Sequence, residues 1–272
     1  MEDAAVFVVD GDSFVATNLA QGGWDPTAAN GGTVLALVGQ CLDDVPSLVP
    51  MTVSRVTADI VRPVPLGRRL HVVPTVTRQG KKIQVVQMQV LVDGVEHVRA
   101  SVLRLRDADL SDSTLPMSTT ETRPADALEP PEQSSSYRDI SPHAPGFLRA
   151  VDMRRARLRD GSGVGIWLRL EVPIVAGRAV SPSVRLAMAL DFANLIGVDV
   201  RSATATMINP DVTGHVLRAP SGDWIGITGE TRFTPALGRG VTSAVLSDAD
   251  GVFAVVSMCQ LVQPQPTAPW RA

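Results

Sequence analysis

Lysine is almost missing from this chain. Lys81 and Lys82 are the only two, and arginine supplies the other 23 of the 25 basic side chains. Acidic residues outnumber basic ones, for a formal net charge of −3. A nucleic-acid binder draws affinity from a basic surplus against phosphates, so no nucleic-acid partner is expected. The Ala/Val/Arg-rich, Lys-poor composition reads as a genomic bias and carries no functional weight. No run of 18 apolar residues is present, which predicts no membrane span. The start, Met1-Glu2-Asp3, lacks the basic flank of a secretory signal, so a cytoplasmic protein is expected.

Reactive side chains are scarce too. The two cysteines, Cys41 and Cys259, lie in apolar runs and are expected to be buried free thiols. They lack metal-ligand spacing, and no metal is expected. The histidines His71, His97, His143 and His215 are scattered. No Gly-x-Ser-x-Gly, P-loop or dinucleotide fingerprint occurs, and no cofactor is expected. Gly11-Asp12-Ser13 has the look of a serine-hydrolase motif, but the Asp-x-x-His pair such enzymes need is missing.

What is present is core. Hydrophobic residues make up 44% of 272 residues and charged ones 19%. That suffices for one large domain or two small ones. A Pro/Ser/Thr-rich stretch divides the chain into expected units at 1–107, 108–145 (linker) and 146–272.

The outer units read as a faint repeat. In the first, Gly31 to Leu42 is an almost wholly apolar helix candidate. In the second, Ser181-Pro182 supplies an N-cap and N1 proline for a helix that Gly197 can end. Strands are expected near 53–63, 69–79, 83–92 and 96–105, then near 213–219, 223–233, 240–247 and 252–262. A shorter strand region precedes each helix, around Phe14 and at 164–172. Arg62-Pro63 matches Arg218-Ala219, and the turn Asp93-Gly94 matches Asp250-Gly251, about 156 residues on. A helix apolar all round needs a sheet to cover it. Along 252–262, Ala254, Val256, Met258, Gln260 and Val262 share one face, so Gln260 needs a polar partner there.

Strand, central helix and wrapping sheet, repeated, resembles the double-hotdog fold. The second half resembles the type II acyl-CoA thioesterases through Leu190-Asp191-Phe192-Ala193-Asn194, Ile208-Asn209-Pro210-Asp211 and Arg218-Ala219-Pro220-Ser221-Gly222-Asp223-Trp224. Gly238-Arg239-Gly240, Asp250-Gly251 and Ser257-Met258-Cys259-Gln260 continue the match. In the first half, Asn30-Gly31-Gly32 resembles the glycine pair that opens the first helix. The resemblance implies an α+β double hotdog with two antiparallel sheets, each wrapped on a buried helix. It implies hydrolysis of acyl-CoA to free acid and CoA, and a homodimer. In that family a helix aspartate, a strand threonine or serine and a strand glutamine orient the attacking water. Asp191 and Gln260 fall on two of these positions, and Thr231 in Gly229-Glu230-Thr231-Arg232 is taken for the other.

The residues keep alternative readings. Asp191 is a general base, or a helix cap or structural hydrogen-bond acceptor. Asn194, three residues on, holds Asp191, a water or the thioester carbonyl, or is a supporting amide. Gln260 touches the water, or meets solvent at a sheet edge. Asn30, Gly31 and Gly32 line the substrate, with amides for the thioester oxygen, or form a plain tight turn. Arg104 is the first-half counterpart of Gln260 and lacks its chemistry. A non-catalytic acyl-CoA binder is the second functional class. A hotdog enoyl-CoA hydratase is the third, suggested by Asn209-Pro210-Asp211 but lacking the histidine.

Overall fold

In the computed structural model, residues 5–110, 127–140, 145–197 and 205–264 are described. The first half runs β1 (Phe7–Asp10), β2 (Ser13–Ala16), α1 (Gly31–Asp43), β3 (Met51–Ile60), β4 (Arg69–Arg78), β5 (Ile83–Val92) and β6 (Val95–Arg106). The second runs β7 (Ser135–Ser136), α2 (Phe147–Ala150), β8 (Val151–Arg157), β9 (Val164–Leu170), α3 (Pro182–Phe192), β10 (Ala205–Ile208), β11 (Asp211–Val216), β12 (Ile225–Thr234), β13 (Arg239–Asp248) and β14 (Gly251–Pro264).

Local chemistry fixes the helix ends. The Asn30 side chain accepts from the Thr33 N–H at 3.3 Å and caps α1. Ser181 accepts from the Val184 N–H at 3.2 Å and caps α3, with Pro182 at the tolerated first position. Gly197, at φ 78°, takes the left-handed turn after the 3₁₀ residues Ala193–Leu195. Asp93-Gly94, both at positive φ, closes the β5–β6 hairpin.

Gly32 to Leu42 of α1 are all buried, as the apolar pattern predicts. Leu35, Leu37 and Leu42 are each worth about 1.5–3 kcal/mol of burial. α1 and α3 lie antiparallel and close. A Cβ on Gly39 would come within 2.7 Å of the Ser183 carbonyl, and one on Gly31 within 2.6 Å of an Asp191 oxygen. Glycine at those two positions lets the helices touch.

The two sheets expected from the resemblance are one. The strands run β1-β2-β4-β5-β6-β3-β11-β14-β13-β12-β9-β8-β7, with β10 beside β14. The seam is β3 against β11, Asp59 opposite Asp211 through Arg55 opposite His215. Each would otherwise leave an open edge of unpaired N–H and C=O groups, and pairing removes both. From this seam each half runs outward in matching order, so the halves are related by an approximate two-fold axis.

Within 108–145, Leu128 is 1% exposed under Trp167, and Ser135–Ser136 pairs with β8. Pro131–Gln133 and Tyr137–Ile140 form 3₁₀ turns with Tyr137 buried, while 111–126 and 141–144 lie outside the described residues. β8 had no signal in the sequence, because Arg154, Arg155 and Arg157 interrupt its apolar residues. Cys259 is a correction: Cys41 is buried, but Cys259 is exposed. Strand alternation buries Met258 and Gln260 and turns the residue between them outward.

Candidate active site

The site forms where the last turn of α3 meets the first turn of α1. Asp191 is 2% exposed and has no cationic partner among the described residues. Burial raises its pKa from 3.8 to about 6, while the Asn209 amide and the backbone N–H of Gly32 favour the charged form. The carboxylate therefore faces the positive end of α1.

A directed chain of hydrogen bonds leads away from it. Asn209 Nδ2 donates to Asp191 Oδ1 at 2.7 Å, and Asn194 Nδ2 donates to Asn209 Oδ1 at 2.9 Å. Gln260 Nε2 donates to the Asn194 carbonyl at 2.8 Å and to Thr242 Oγ1 at 2.9 Å. Thr231 Oγ1 donates to the Ile196 carbonyl and lies 2.8 Å from Thr242 Oγ1. A hydroxyl has one proton, so Thr242 must donate to Thr231 and accept from Gln260.

Amide orientation is set by these partners. A carboxylate faces Asn209 at one end, and a carbonyl faces Gln260 at the other, and both only accept. Both Nε2 protons of Gln260 are thereby used. Gln260 Oε1 and Asn194 Oδ1 are left buried without a donor among the described residues. Two orphaned acceptors this close in one network are costly unless a water or ligand supplies protons.

The predicted residues fare unequally. Asp191, Asn194 and Gln260 share one network, joined through Asn209. Thr231 does not touch Asp191; it stands behind Thr242, at the far end of the chain. Asn30 spends its side chain on the α1 cap. Gly31 and Gly32 make room for α3 itself: a Cβ on Gly32 would press within 2.7 Å of the Phe192 ring. Gly32 directs its N–H at Asp191. The Gly31 N–H has no acceptor among the described residues. Asn209 and Thr242 were missed as site residues. Asn209 stood in the sequence only as part of Ile208-Asn209-Pro210-Asp211, and an amide held just before Pro210 was the available signal. Thr242 gave none, being one of many β-branched residues in a strand.

Helices cradled by a long antiparallel sheet, with a buried unpaired carboxylate between them, make this a hotdog-fold protein. Solved structures share the fold. A candidate thioesterase from Novosphingobium aromaticivorans has a TM-score of 0.70 at 18% identity, over 95% of this chain and 98% of that one. A hot dog fold protein from Alicyclobacillus acidocaldarius gives 0.68 at 14%, over 96% and 97%. Acyl-CoA thioesterase II TesB2 from Mycobacterium marinum gives 0.63 at 13%, over 94% of each. No curated protein matches in sequence. Family models of the acyl-CoA thioesterase N-terminal and C-terminal domains match residues 20–105 and 118–262. The chain belongs to the acyl-CoA thioesterase family, and its activity is hydrolysis of acyl-CoA. No helix among the described residues is long and apolar enough to cross a membrane.

Proposed function

We propose that Asp191 is the general base of thioester hydrolysis, and that Asn209, Asn194 and Gln260 hold it and its water. Water bound between Asp191 and Gln260 gives one proton to the carboxylate and the other, as a hydrogen bond, to Gln260 Oε1. Its oxygen attacks the thioester carbon. The N–H of Gly31 at the head of α1 receives the developing oxyanion. The C–S bond then breaks, CoA leaves as thiolate, and the proton held on Asp191 passes to that sulfur. The balance is thioester plus water giving acid plus thiol.

One observation carries this reading: a buried carboxylate without a cation, whose pKa of about 6 leaves it ionised but basic near neutral pH. A purely structural residue there would be more stable as asparagine. The test follows free thiol from acyl-CoAs of graded chain length. Wild type releases CoA and Asp191→Asn does not; equal rates would remove Asp191 from the mechanism.

The unit division 1–107, 108–145 and 146–272 is supported in part: the two matched family domains leave a gap at 106–117, which overlaps the start of the expected linker, while the second domain already takes in 118–145. A homodimer is supported by exposed Val241, Val255 and Leu261 on the outer face of β13 and β14. Sedimentation at two protein concentrations tests it. A reducing, cytoplasmic setting suits the two free thiols.

A further inference from the structure

The approximate two-fold axis gives the active site a counterpart at the other end of the helix pair. There the last turn of α1 meets the first turn of α3, and a cavity of about 430 Å³ opens. Gln40 is the tenth residue of α1, as Asp191 is of α3. Arg104 stands opposite Val53, as the seat of Gln260 requires. Gln84 lies across from Arg104 where Gly240 lies across from Gln260.

Arg104 lines this cavity and is 8% exposed. Its Nη1 donates to the Val45 carbonyl at 2.8 Å and to Gln84 Oε1 at 3.1 Å, and its Nη2 to the Leu42 carbonyl at 2.6 Å. Those bonds use three of five guanidinium donors. A proton on Nε and one on Nη2 have no acceptor among the described residues. No carboxylate there lies within ion-pair distance of this buried cation. Asp43 also lines the cavity, and its carboxylate accepts from Ser181 Oγ at 2.5 Å. Met51, Val53, Leu186 and Val216 form the cavity's apolar wall, and Ser47, Thr52 and Ser183 add polar surface beside it.

We propose that this cavity binds an aliphatic carboxylate, a free fatty acid, with its head group on Arg104 and its chain along the apolar wall. It cleaves nothing, because the seat of the base holds the neutral Gln40. Two adjacent guanidinium N–H groups match the two oxygens of a carboxylate. The volume lies in the range of small-ligand pockets. Choosing an acyl acid as occupant rests on the acyl-CoA hydrolysis reading; the seat itself does not.

The experiment is calorimetric titration of the full chain with decanoate, and separately with 1-decanol. Decanoate binds, and decanol binds about tenfold more weakly or worse. Arg104→Met weakens decanoate by a similar factor. Arg104 also holds the end of α1, so a second variant is needed: Ala219→Trp fills the mouth from an exposed position and leaves Arg104 bonded. It too loses decanoate. Asp191→Asn keeps wild-type binding, which separates this seat from the active site. Wild-type affinity in Ala219→Trp, equal binding of decanol, or loss in Asp191→Asn overturns the proposal. A chain that binds decanoate through Arg104 yet hydrolyses no acyl-CoA overturns the thioesterase reading and leaves the seat standing.

Discussion

The two ends of the helix pair occupy equivalent places and carry opposite chemistry. One holds Asp191, Asn209, Gln260 and Gly240; the other holds Gln40, Val53, Arg104 and Gln84. At the first end the buried charge is negative and faces the amino end of a helix. At the second it is positive and is bonded to carbonyls at the carboxyl end of one. Each charge is matched to its helix dipole. The fold supplies two seats, and the side chains decide which one can activate water.

The sharpest break of this comparison is Asp191→Asn set against Gln40→Met. The first lowers kcat by about 10²–10⁴-fold, the usual worth of a general base. The second leaves kcat at its wild-type value, since it removes a neutral amide whose oxygen is already without a donor among the described residues. Thiol release measures both, and equal losses would mean that the seats are not distinct. The same aspartate sets the pH response. Activity rises as pH passes through about 6 and the carboxylate ionises. Stability runs the other way. A carboxyl whose pKa is raised on folding from 3.8 contributes stability below that value, lost as pH rises through about 6. The loss levels off near 3 kcal/mol. Asp191→Asn therefore gains on wild type in denaturant midpoint between pH 4 and pH 8, while it loses activity.

Gln260→Leu comes next. It keeps the apolar strand face but removes the acceptor offered to water and the bond that holds Asn194. A kcat loss of about 10- to 100-fold is expected. An intermediate Gln260→Glu separates the two roles. It keeps an acceptor but cannot donate to the Asn194 carbonyl, so it loses activity by misplacing its neighbour.

Much of this was legible in the residues. Alternation along 252–262 put Gln260 on the buried face beside Met258, and caps and glycines marked both helices. The aspartate was conspicuous because it interrupts an apolar helix. Thr231 and Asn209 show where the reading stops. Both are small polar residues near a strand, and period-two alternation says which face a residue takes, not what lies across from it. Register between distant strands decides that. The β10–β14 pairing sets Ile208 opposite Leu261 and so brings Asn209 beside Gln260. The merging of two sheets was equally hidden, because a seam between edge strands needs no special residue.

Glycine contacts sharpen the contrast at a smaller scale. Gly31→Ala and Gly39→Ala both thrust a methyl into the facing helix, and each costs about 1–3 kcal/mol of stability. Only Gly31→Ala also displaces the base, so it alone lowers kcat in the fraction that stays folded. Gly39→Ala lowers the melting temperature and leaves kcat per folded molecule unchanged.

Thr231→Val is the smallest effect and the one that decides the order of the network. Valine keeps the branched shape and deletes one hydroxyl. Thr242 loses the acceptor for its proton and is freed to rotate, which loosens its hold on Gln260 without removing it. Neutral hydrogen bonds of this kind are worth about 0.5–1.5 kcal/mol, so kcat falls by about two- to tenfold. The KM for acyl-CoA stays put, because Thr231 lies behind the residues that face substrate. A loss as large as that of Asp191→Asn would place the hydroxyl on the attacking water itself. The proton relay would then run through β12, and Asn209 would drop to a supporting amide.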